Sequence, residues 1–269
     1  MPALSRTLIL AIDTETTGTD VNEDRIIELG GAYLLAGAYH PPGLRALVNP
    51  DRYIPASASN VHGIRNEDVE HAPAWPEVAA KFKRHLDELN PVVVGYNILW
   101  FDARIINAEN TRHDLGWSLP RSLDPFVFAN WHHRDIRSRK LALVAELYGV
   151  TLPDDRAHTA DADSLAVGLL LLRMVEAGLI PDDVEAAFQR QQDLIARMKA
   201  EEAELGRALF RDRKDGETLR IGIGKHTGVA LAEADEDFLK WLGGRPNLTD
   251  EARRLVKRQL GQVEQMGLF

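Results

Sequence analysis

The sequence predicts an α/β fold, because two kinds of pattern are interleaved in it. Short apolar runs, some of which end on an acidic residue, indicate buried strands. Longer segments with apolar residues at helical spacing come between and after these runs. Strands come first and helices follow with some alternation, which is typical of an α/β domain covering about the first 180 residues.

Four segments of the predicted domain have the pattern of strands. The first is TLILAID, an apolar run ending on Asp13, which indicates a buried strand with function at its carboxyl end. The second is RIIELGGAYLL, where Gly30 and Gly31 mark a bulge or a close backbone approach. The third is LRALVNP, which Pro50 stops, and the fourth is PVVVGYN, which begins at Pro91.

Helices are predicted where apolar residues recur every three or four positions. Gly149 and Gly178 are expected to end two of them, because glycine is favoured just past the end of a helix. Pro181 is expected to open a charged helix, since proline is tolerated in the first turn. The predicted helices are WPEVAAKFKRHLDEL, FDARIINAEN, KLALVAELYG, ADADSLAVGLLLLRMVEAG and PDDVEAAFQRQQDLIARMKAEEAELGRALF.

Beyond the first domain the sequence changes character. A short strand, a glycine-rich turn and an amphipathic helix are followed by a last helix, capped by Thr249 or Asn247. The segments that this predicts are a first domain over residues 1–180, a helical connector over 181–214, a small α+β module over 215–262 and a tail over 263–269.

Two interpretations of the small module stay open. Phe238 and Trp241 are expected in its core, which favours a packing role. Three basic or titratable residues instead allow a nucleic-acid or partner-binding surface: Arg220, Lys225 and His226. The stretch HHRDIRSRK is similarly open, because its cations fit either a path for a phosphate backbone or a solvated loop.

Composition excludes some chemistry. The 269 residues contain no cysteine, so disulfides and thiolate metal sites are excluded and His, Asp and Glu are left as metal ligands. The net charge of −9 argues weakly against a nucleic-acid partner, but it describes the whole surface rather than one groove. The apolar run near Met1 is too short for a membrane span and lacks a cleavage site, so we expect a cytoplasmic protein without a membrane anchor.

Acidic residues stand at three predicted element ends. Asp13 and Glu15 are two apart on a strand, so their side chains point to the same face, and their mutual repulsion calls for a cation. Asp102 is in the first turn of a helix that follows a buried strand. His158 precedes Asp163 by five positions, and Asp163 faces the site only if its helix starts near Ala160.

Each motif alone has an ordinary alternative. Asp13 and Glu15 fit a polar strand end, and Asp102 fits a common helix start. Asp161 competes with Asp163 as a simple helix cap, and His158 alone fits a solvated loop. The order Asp-x-Glu, Asp, and His with Asp five positions later is much more specific than any one of them.

This order resembles the DEDD exonuclease superfamily, in its histidine subclass, over about residues 5–178. DTETTG matches the first motif of the family, YNILWFD is similar to the second, and the spacing of His158 and Asp163 fits the third. The tyrosine subclass needs Tyr at position 159, where this chain has Thr159. Tyr96 departs from the pattern, since relatives often have His there. The resemblance implies an RNase H-like mixed sheet flanked by helices.

The resemblance also implies hydrolysis of the 3′-terminal phosphodiester of DNA, with release of nucleoside monophosphates. Two Mg²⁺ or Mn²⁺ ions would be held by Asp13 as the bridging ligand, by Glu15 and Asp163 on one ion, and by Asp102 on the other. His158 would be the general base, because the pKa of histidine lies near neutral.

Further residues are predicted to bind substrate or a partner. Thr14, His62 and Asn97 are candidate substrate-binding residues, although a structural role is an equal alternative for His62. The end of the chain, QMGLF, resembles the peptide with which bacterial proteins bind the sliding clamp. The residues that carry this resemblance are Gln265, Leu268 and Phe269, and the alternative is that Leu268 and Phe269 pack back on the small module.

Three functions follow from these patterns. The leading one is a metal-dependent 3′–5′ DNA exonuclease of replication or repair, acting on single-stranded or frayed 3′ ends. The second is a ribonuclease that trims RNA 3′ ends, against which the clamp-like tail argues. The third is a non-catalytic scaffold that binds DNA or the clamp, against which the complete set of five motif residues argues.

Overall fold

The computed structural model describes residues 2–151 and 160–266, without the side chains of residue 161 and of residues 262–266. The chain divides into two compact units. The N-terminal unit comprises Met1–Phe126 and Leu141–Gln191, and the C-terminal unit comprises Val127–Lys140 and Gln192–Phe269. The segment 127–140 therefore groups with the C-terminal residues, although it lies within the first predicted segment of the sequence.

The N-terminal unit is built on a mixed sheet of six strands. Its order is β3-β2-β1-β5-β6, and β4 pairs with β2 beside β3. β2 runs antiparallel to β1, whereas β5 runs parallel to β1 and β6 parallel to β5. The strands are β1 (Ile9–Thr16), β2 (Ile26–Leu35), β3 (Ala38–Tyr39), β4 (Leu44–Leu47), β5 (Val92–Val94) and β6 (Ser122–Leu123).

Helices flank this sheet and connect its strands, so the predicted α/β fold with an RNase H-like sheet is confirmed. Gly149 and Gly178 adopt positive φ angles of 67° and 73° just after two helices, as predicted. The helices within the N-terminal unit are α1 (Ala56–His62), α2 (Asn66–Val69), α3 (Trp75–Leu89), α4 (Asp102–Arg112), α6 (Leu141–Leu147) and α7 (Ala160–Glu176). Two further helices, α5 (Pro125–His132) and α8 (Val184–Leu205), each include residues of both units.

The prediction that Pro181 opens a helix is wrong. α8 begins at Val184, and the side chain of Asp183 accepts a hydrogen bond from the backbone N–H of Ala186 at 2.9 Å. An aspartate that satisfies a free N–H of the first turn is a better start signal than the upstream proline. Over the described ranges, no helix is both long and apolar enough to cross a membrane.

The C-terminal unit contains a hairpin, β7 (Leu209–Arg211) with β8 (Leu219–Ile221), followed by α9 (Glu236–Gly243) and α10 (Asp250–Met266). Its core is a cluster of aliphatic side chains that includes Leu239 and Leu242 of α9. At the start of α10, the hydroxyl of Thr249 accepts a hydrogen bond from the N–H of Ala252, which confirms Thr249 as the cap.

Trp241 does not lie in this core, so that prediction is wrong. Its side chain is 52% exposed, while Leu239 and Leu242 on either side of it in sequence are fully buried. Helical geometry explains the difference, because residues two positions apart on a helix point to different faces. Phe238 is half-buried and packs against the edge of the core.

The basic stretch before α6 is not a solvated loop throughout. Arg134 forms an ion pair with the buried Glu201, and Arg139 donates hydrogen bonds to the backbone carbonyls of His133 and Ile136. These two cations stabilise the C-terminal unit from within.

Candidate active site

The two faces of β1 carry different residues. Leu10 and Ile12 point into the apolar core, together with residues of α3 and α4. Because side chains alternate along a strand, Asp13 and Glu15 point to the other face, against which α7 packs. Pairing with β5 ends at Ala11, so the last residues of β1 extend beyond the parallel strand. Two half-buried carboxylates are thereby placed at an open end of the sheet.

A glycine lets α7 come close to these carboxylates. Gly30 of β2 lies directly opposite Asp13, and a Cβ atom on Gly30 would be 2.2 Å from the carbonyl carbon of Ala160. No side chain fits in that space. The predicted close backbone approach at this glycine is therefore confirmed, and the first turn of α7 lies against the strand pair.

Asp163 lies in this first turn of α7, because the helix begins at Ala160. Its carboxylate joins those of Asp13 and Glu15, and one oxygen from each of the three lies within 4.8 Å of the others. The sequence predicted that Asp163 faces the site only if its helix starts near Ala160, and the helix does start there. Asp161 is inside the helix rather than before it.

Asp102 reaches the site from the opposite face of β1. Its side chain is buried, and its Oδ1 accepts hydrogen bonds from the hydroxyl of Thr14 at 2.6 Å and from the backbone N–H of Thr14 at 3.1 Å. Thr14 points to the α4 side because it alternates with Asp13 and Glu15. The side chain of Thr14, a predicted substrate ligand, thus positions a carboxylate; substrate binding by Thr14 stays a prediction.

The electrostatics of the site disfavour four bare carboxylates. Burial raises the pKa of Asp13 well above its ordinary value, and the charges of Asp102, Glu15 and Asp163 raise it further. Burial, followed by the charge of Asp163, raises the pKa of Glu15 to about 7.

Burial also raises the pKa of Asp102, to about 6, although its hydrogen bonds with Thr14 oppose the shift. These carboxylates fit hard divalent cations such as Mg²⁺ or Mn²⁺, because such an ion supplies the missing positive charge and accepts oxygen ligands. Among the described residues, Asp13, Glu15 and Asp163 form a group of carboxylates that suits an ion. Asp102 lies outside that group of three.

A fifth carboxylate, which the sequence did not single out, holds α7 in place. Glu28 is 1% exposed and lies opposite Glu15 in the sheet. Its Oε1 accepts a hydrogen bond from Nε of Arg45 at 2.7 Å, and its Oε2 accepts one from the N–H of Ala160 at 3.4 Å. A free N–H in the first turn of α7 is satisfied in this way. An acidic residue inside an otherwise apolar strand was the available signal.

A sixth carboxylate, Asp124, organises the loop that precedes Asp102. It is fully buried, and its two oxygens accept hydrogen bonds from the backbone N–H groups of Asn97 at 2.8 Å, Leu99 at 3.3 Å and Phe126 at 3.0 Å. Burial raises the pKa of Asp124 to about 7, despite those three donors. Asp124 lies in the segment SLDPFVFA, where one buried aspartate has no periodic pattern that reveals its role.

The other predicted site residues divide into two groups. Asn97 and His62 are described: Asn97 has a positive φ of 66° in the loop that Asp124 holds, and His62 lies within the electrostatic influence of Glu28. Burial lowers the pKa of His62 more than Glu28 raises it. Three further residues, His158, Leu268 and Phe269, lie outside the described residues. Gln265 is in the last turn of α10, and its side chain is also outside the description.

Comparisons with known proteins agree with this arrangement. The profile of the exonuclease family RNase T matches residues 10–171. The DNA polymerase III subunit epsilon of Treponema pallidum is 36% identical over 174 residues, which cover 61% of this chain and 75% of that protein. A DNA polymerase III subunit epsilon-like protein of Rhodobacter capsulatus is 28% identical over 176 residues, which cover 65% of this chain. The match spans only 24% of the length of that relative.

A similar fold is found in a solved nuclease. The nuclease domain of 3'hExo, described as a DEDDh family member bound to rAMP, superposes with a TM-score of 0.54. The match covers 65% of this chain and 94% of that domain at 19% sequence identity. This likeness concerns the fold alone. The range matched by the family profile, residues 10–171, contains Asp13, Glu15, Asp102 and Asp163.

Proposed function

The chain belongs to the RNase T exonuclease family, and from the geometry of its site we propose that it is a 3′–5′ exodeoxyribonuclease. It would hydrolyse the last phosphodiester bond at a DNA 3′ end and release a nucleoside 5′-monophosphate. The observation that carries this proposal is the gathering of Asp13, Glu15 and Asp163, with Asp102 beside them, at one end of the sheet.

The carboxylates would hold two divalent cations. Asp13 is the proposed bridging ligand, Glu15 and Asp163 would share one ion, and Asp102 would serve the other through water. When bound, these ions would lower the pKa of the attacking water and stabilise negative charge on the phosphate and on the leaving oxygen. The raised pKa values of Asp13 and Glu15 support this assignment, since ligands that repel one another gain most from a cation.

The residues of the chain would supply positions and a proton acceptor. Thr14 fixes the orientation of Asp102, and Asp124 fixes the loop that carries Asn97. His158 would accept the proton of the attacking water. The water oxygen would then bond to phosphorus as the bond from phosphorus to the 3′ oxygen breaks. The leaving 3′ oxygen would take a proton from solvent, so that the shortened strand ends in a 3′ hydroxyl.

A comparison of substrates tests this function. Single-stranded DNA, double-stranded DNA and RNA, each labelled at the 5′ end, are incubated with Mg²⁺ or with a chelator. We expect stepwise shortening of DNA from the 3′ end in Mg²⁺ alone. Shortening of RNA but not DNA would instead favour the ribonuclease, and no shortening at all would favour the scaffold.

Replacement of one ligand provides the second test. Asp13→Ala should lower the rate of nucleotide release at least about a thousandfold, at or above the effect of losing one preorganised electrostatic group. Asp87→Ala is the matched control, because Asp87 is an exposed carboxylate paired with Lys83 on α3. Activity retained by Asp13→Ala would contradict the site assignment.

A partner is also proposed. Gln265, Leu268 and Phe269 would bind a bacterial sliding clamp and so raise the concentration of the nuclease at DNA that carries a clamp. The support is the sequence resemblance of the last five residues, together with a DNA exonuclease as the proposed activity.

A further inference from the structure

Aromatic and cationic side chains form a row on the C-terminal unit. The imidazole of His226 stacks on the ring of Phe238, with centroids 3.9 Å apart and planes inclined by 27°. The rings of Phe238 and Trp241 are 5.3 Å apart, and the guanidinium of Arg245 lies 4.9 Å from the Trp241 centroid. We call these four side chains the aromatic row.

Trp241 is the exposed member of the aromatic row, and the core does not depend on it. Trp241 is 52% exposed, whereas the core beneath α9 is closed by Leu239 and Leu242. Among the described side chains of residues 192–261, Trp241 is the one large apolar side chain that is exposed. A protein-binding surface normally has several apolar anchors together, so a lone tryptophan between a phenylalanine and an arginine fits a flat, polar ligand better.

The charge of this region differs from that of the whole chain. Residues 219–261 contain eight Lys and Arg and six Asp and Glu, a net charge of +2, while the chain carries −9. Three of those acids lie at the start of α9. Asp235 caps the helix, and the negative charges of Glu236 and Asp237 interact favourably with the positive end of the helix dipole. Trp241 and Arg245 lie towards its other end. The row thus combines flat rings with local positive charge.

We propose that the aromatic row binds single-stranded DNA by stacking with its bases. Every base has a flat π surface, and aromatic side chains that stack with successive bases bind single strands with little sequence preference. Arg245 adds a cation that can contact a base or a phosphate. The proposal rests on the proposed function only for the choice of DNA, because RNA bases have the same stacking chemistry.

Binding is measured without hydrolysis. Fluorescence anisotropy of fluorescein-labelled dT20 is recorded in EDTA with the full chain. Trp241→Ala should weaken binding about tenfold or more, in the range of one lost base stack, and Trp241→Phe should retain most of the affinity. The controls are Leu147→Ala, an exposed aliphatic residue of α6, and Arg173→Ala, an exposed arginine paired with Glu176; both should bind as the unchanged protein does.

Several outcomes would overturn the proposal. One is equal binding by the unchanged protein and Trp241→Ala; another is no binding of dT20 by either. Binding of rU20 but not dT20 would overturn the DNA assignment. A dimer seen in sedimentation that Trp241→Ala dissolves, with DNA affinity unchanged, would assign the row to a second copy of the chain.

Failure of the proposed function would look different. If no nucleic acid is shortened in Mg²⁺ but dT20 binding still depends on Trp241, the binding role of the aromatic row is supported and the exonuclease function is refuted. If DNA is shortened but Trp241→Ala binds dT20 as the unchanged protein does, the exonuclease function is supported and the binding role of the aromatic row is refuted. Circular dichroism of Trp241→Ala verifies its folding, which the exposed position of the side chain leads us to expect.

Discussion

In the N-terminal unit the candidate functional groups are buried or half-buried carboxylates, whereas in the C-terminal unit they are the side chains of the aromatic row. The carboxylates are placed by backbone contacts: the register of β1 and β2, and the approach of Ala160 to Gly30. The aromatic row is placed by contacts between side chains: Phe238 and Trp241 lie on α9, and His226, from an earlier segment, stacks on Phe238.

This difference predicts different tolerance to change. A shift of α7 by one ångström moves Asp163 away from Asp13 and Glu15, and a metal site tolerates little error in ligand position. A stacked ring can be replaced by another ring with a modest loss. Substitutions that disturb the carboxylates should therefore affect hydrolysis strongly and leave the binding of dT20 in EDTA unchanged.

Apart from replacement of the carboxylates themselves, the largest of these effects is expected at Gly30. Gly30→Val should displace α7, lower nucleotide release at least about a hundredfold, and lower the free energy of unfolding by about 1–3 kcal/mol, the usual cost of overpacking. Release rates and urea unfolding are the measurements. The neighbour Gly31 is the control, because its added Cβ would lie 3.2 Å from side-chain atoms of Leu10 and Leu44. Equal losses in Gly30→Val and Gly31→Ala would refute the role of the close approach.

A smaller effect is expected at Asp124. Asp124→Ala removes the acceptor of three backbone N–H groups, so we expect a loss of about 3 kcal/mol in unfolding free energy. Nucleotide release should fall roughly 10–100-fold, because the loop before Asp102 loses its support. Asp124→Asn retains one carbonyl oxygen as an acceptor, so its free energy of unfolding and its rate of nucleotide release should both fall less than those of Asp124→Ala. If Asn and Ala behave alike, the hydrogen bonds of Asp124 do not hold the loop.

The dependence of stability on pH tests the repulsion among the carboxylates. Folding raises the pKa of Glu15 to about 7 and that of Asp102 to about 6, so between pH 5 and 7 the folded protein holds more protons than the unfolded chain. In EDTA the free energy of unfolding contributed by these groups should therefore fall by about 1–3 kcal/mol as the pH rises through this window. Urea unfolding at pH 5 and pH 8 measures it.

The variant Glu15→Gln measures the contribution of Glu15, because it removes one of the titrating groups. The free energy of unfolding of this variant should decrease less between pH 5 and pH 8 than that of the unchanged protein. Mg²⁺ should restore stability at pH 8 more than at pH 5, because protons compete with the ion for the same oxygens. A rise in stability from pH 5 to pH 8 that Glu15→Gln leaves unchanged would contradict the assigned repulsion.

The smallest effect on hydrolysis is expected at the tail. Deletion of Leu268 and Phe269 should abolish clamp binding in a surface binding assay, while the rate on short oligonucleotides stays unchanged. Gly267→Ser is the control, because the spacer is expected to tolerate change. Since α10 includes Gln265, an extended peptide requires the last helical turn to unwind. Clamp binding by the truncated protein at full affinity would exclude this role.

Short sequence patterns predicted those site residues whose positions depend on their neighbours in the sequence. Asp-x-Glu at a strand end, Asp102 at a helix start and Asp163 within a first turn are each visible within about ten residues. The α/β fold and the close approach at Gly30 followed from the same kind of signal, and both are confirmed.

Residues whose roles depend on distant partners were missed. Glu28 contacts Ala160, which is 132 positions away, and Asp124 organises a loop 25 to 27 positions earlier. The exposure of Trp241 was also missed, because its apolar character predicts burial and only the packing of Leu239 and Leu242 decides which face of α9 is inside. Pairings of this kind leave no periodic trace in one sequence.

The separation of Asp13 and Asp163 along the chain also means that the two ligands are synthesised at different times. At a synthesis rate of about 5–20 residues per second, the 150 positions between them take roughly 8–30 s to make. Throughout that interval the nascent chain has Asp13 and Glu15 but no α7, so the ligand group is incomplete. A growing chain therefore has no complete group of ligands until its helix α7 has been made and has docked on β2.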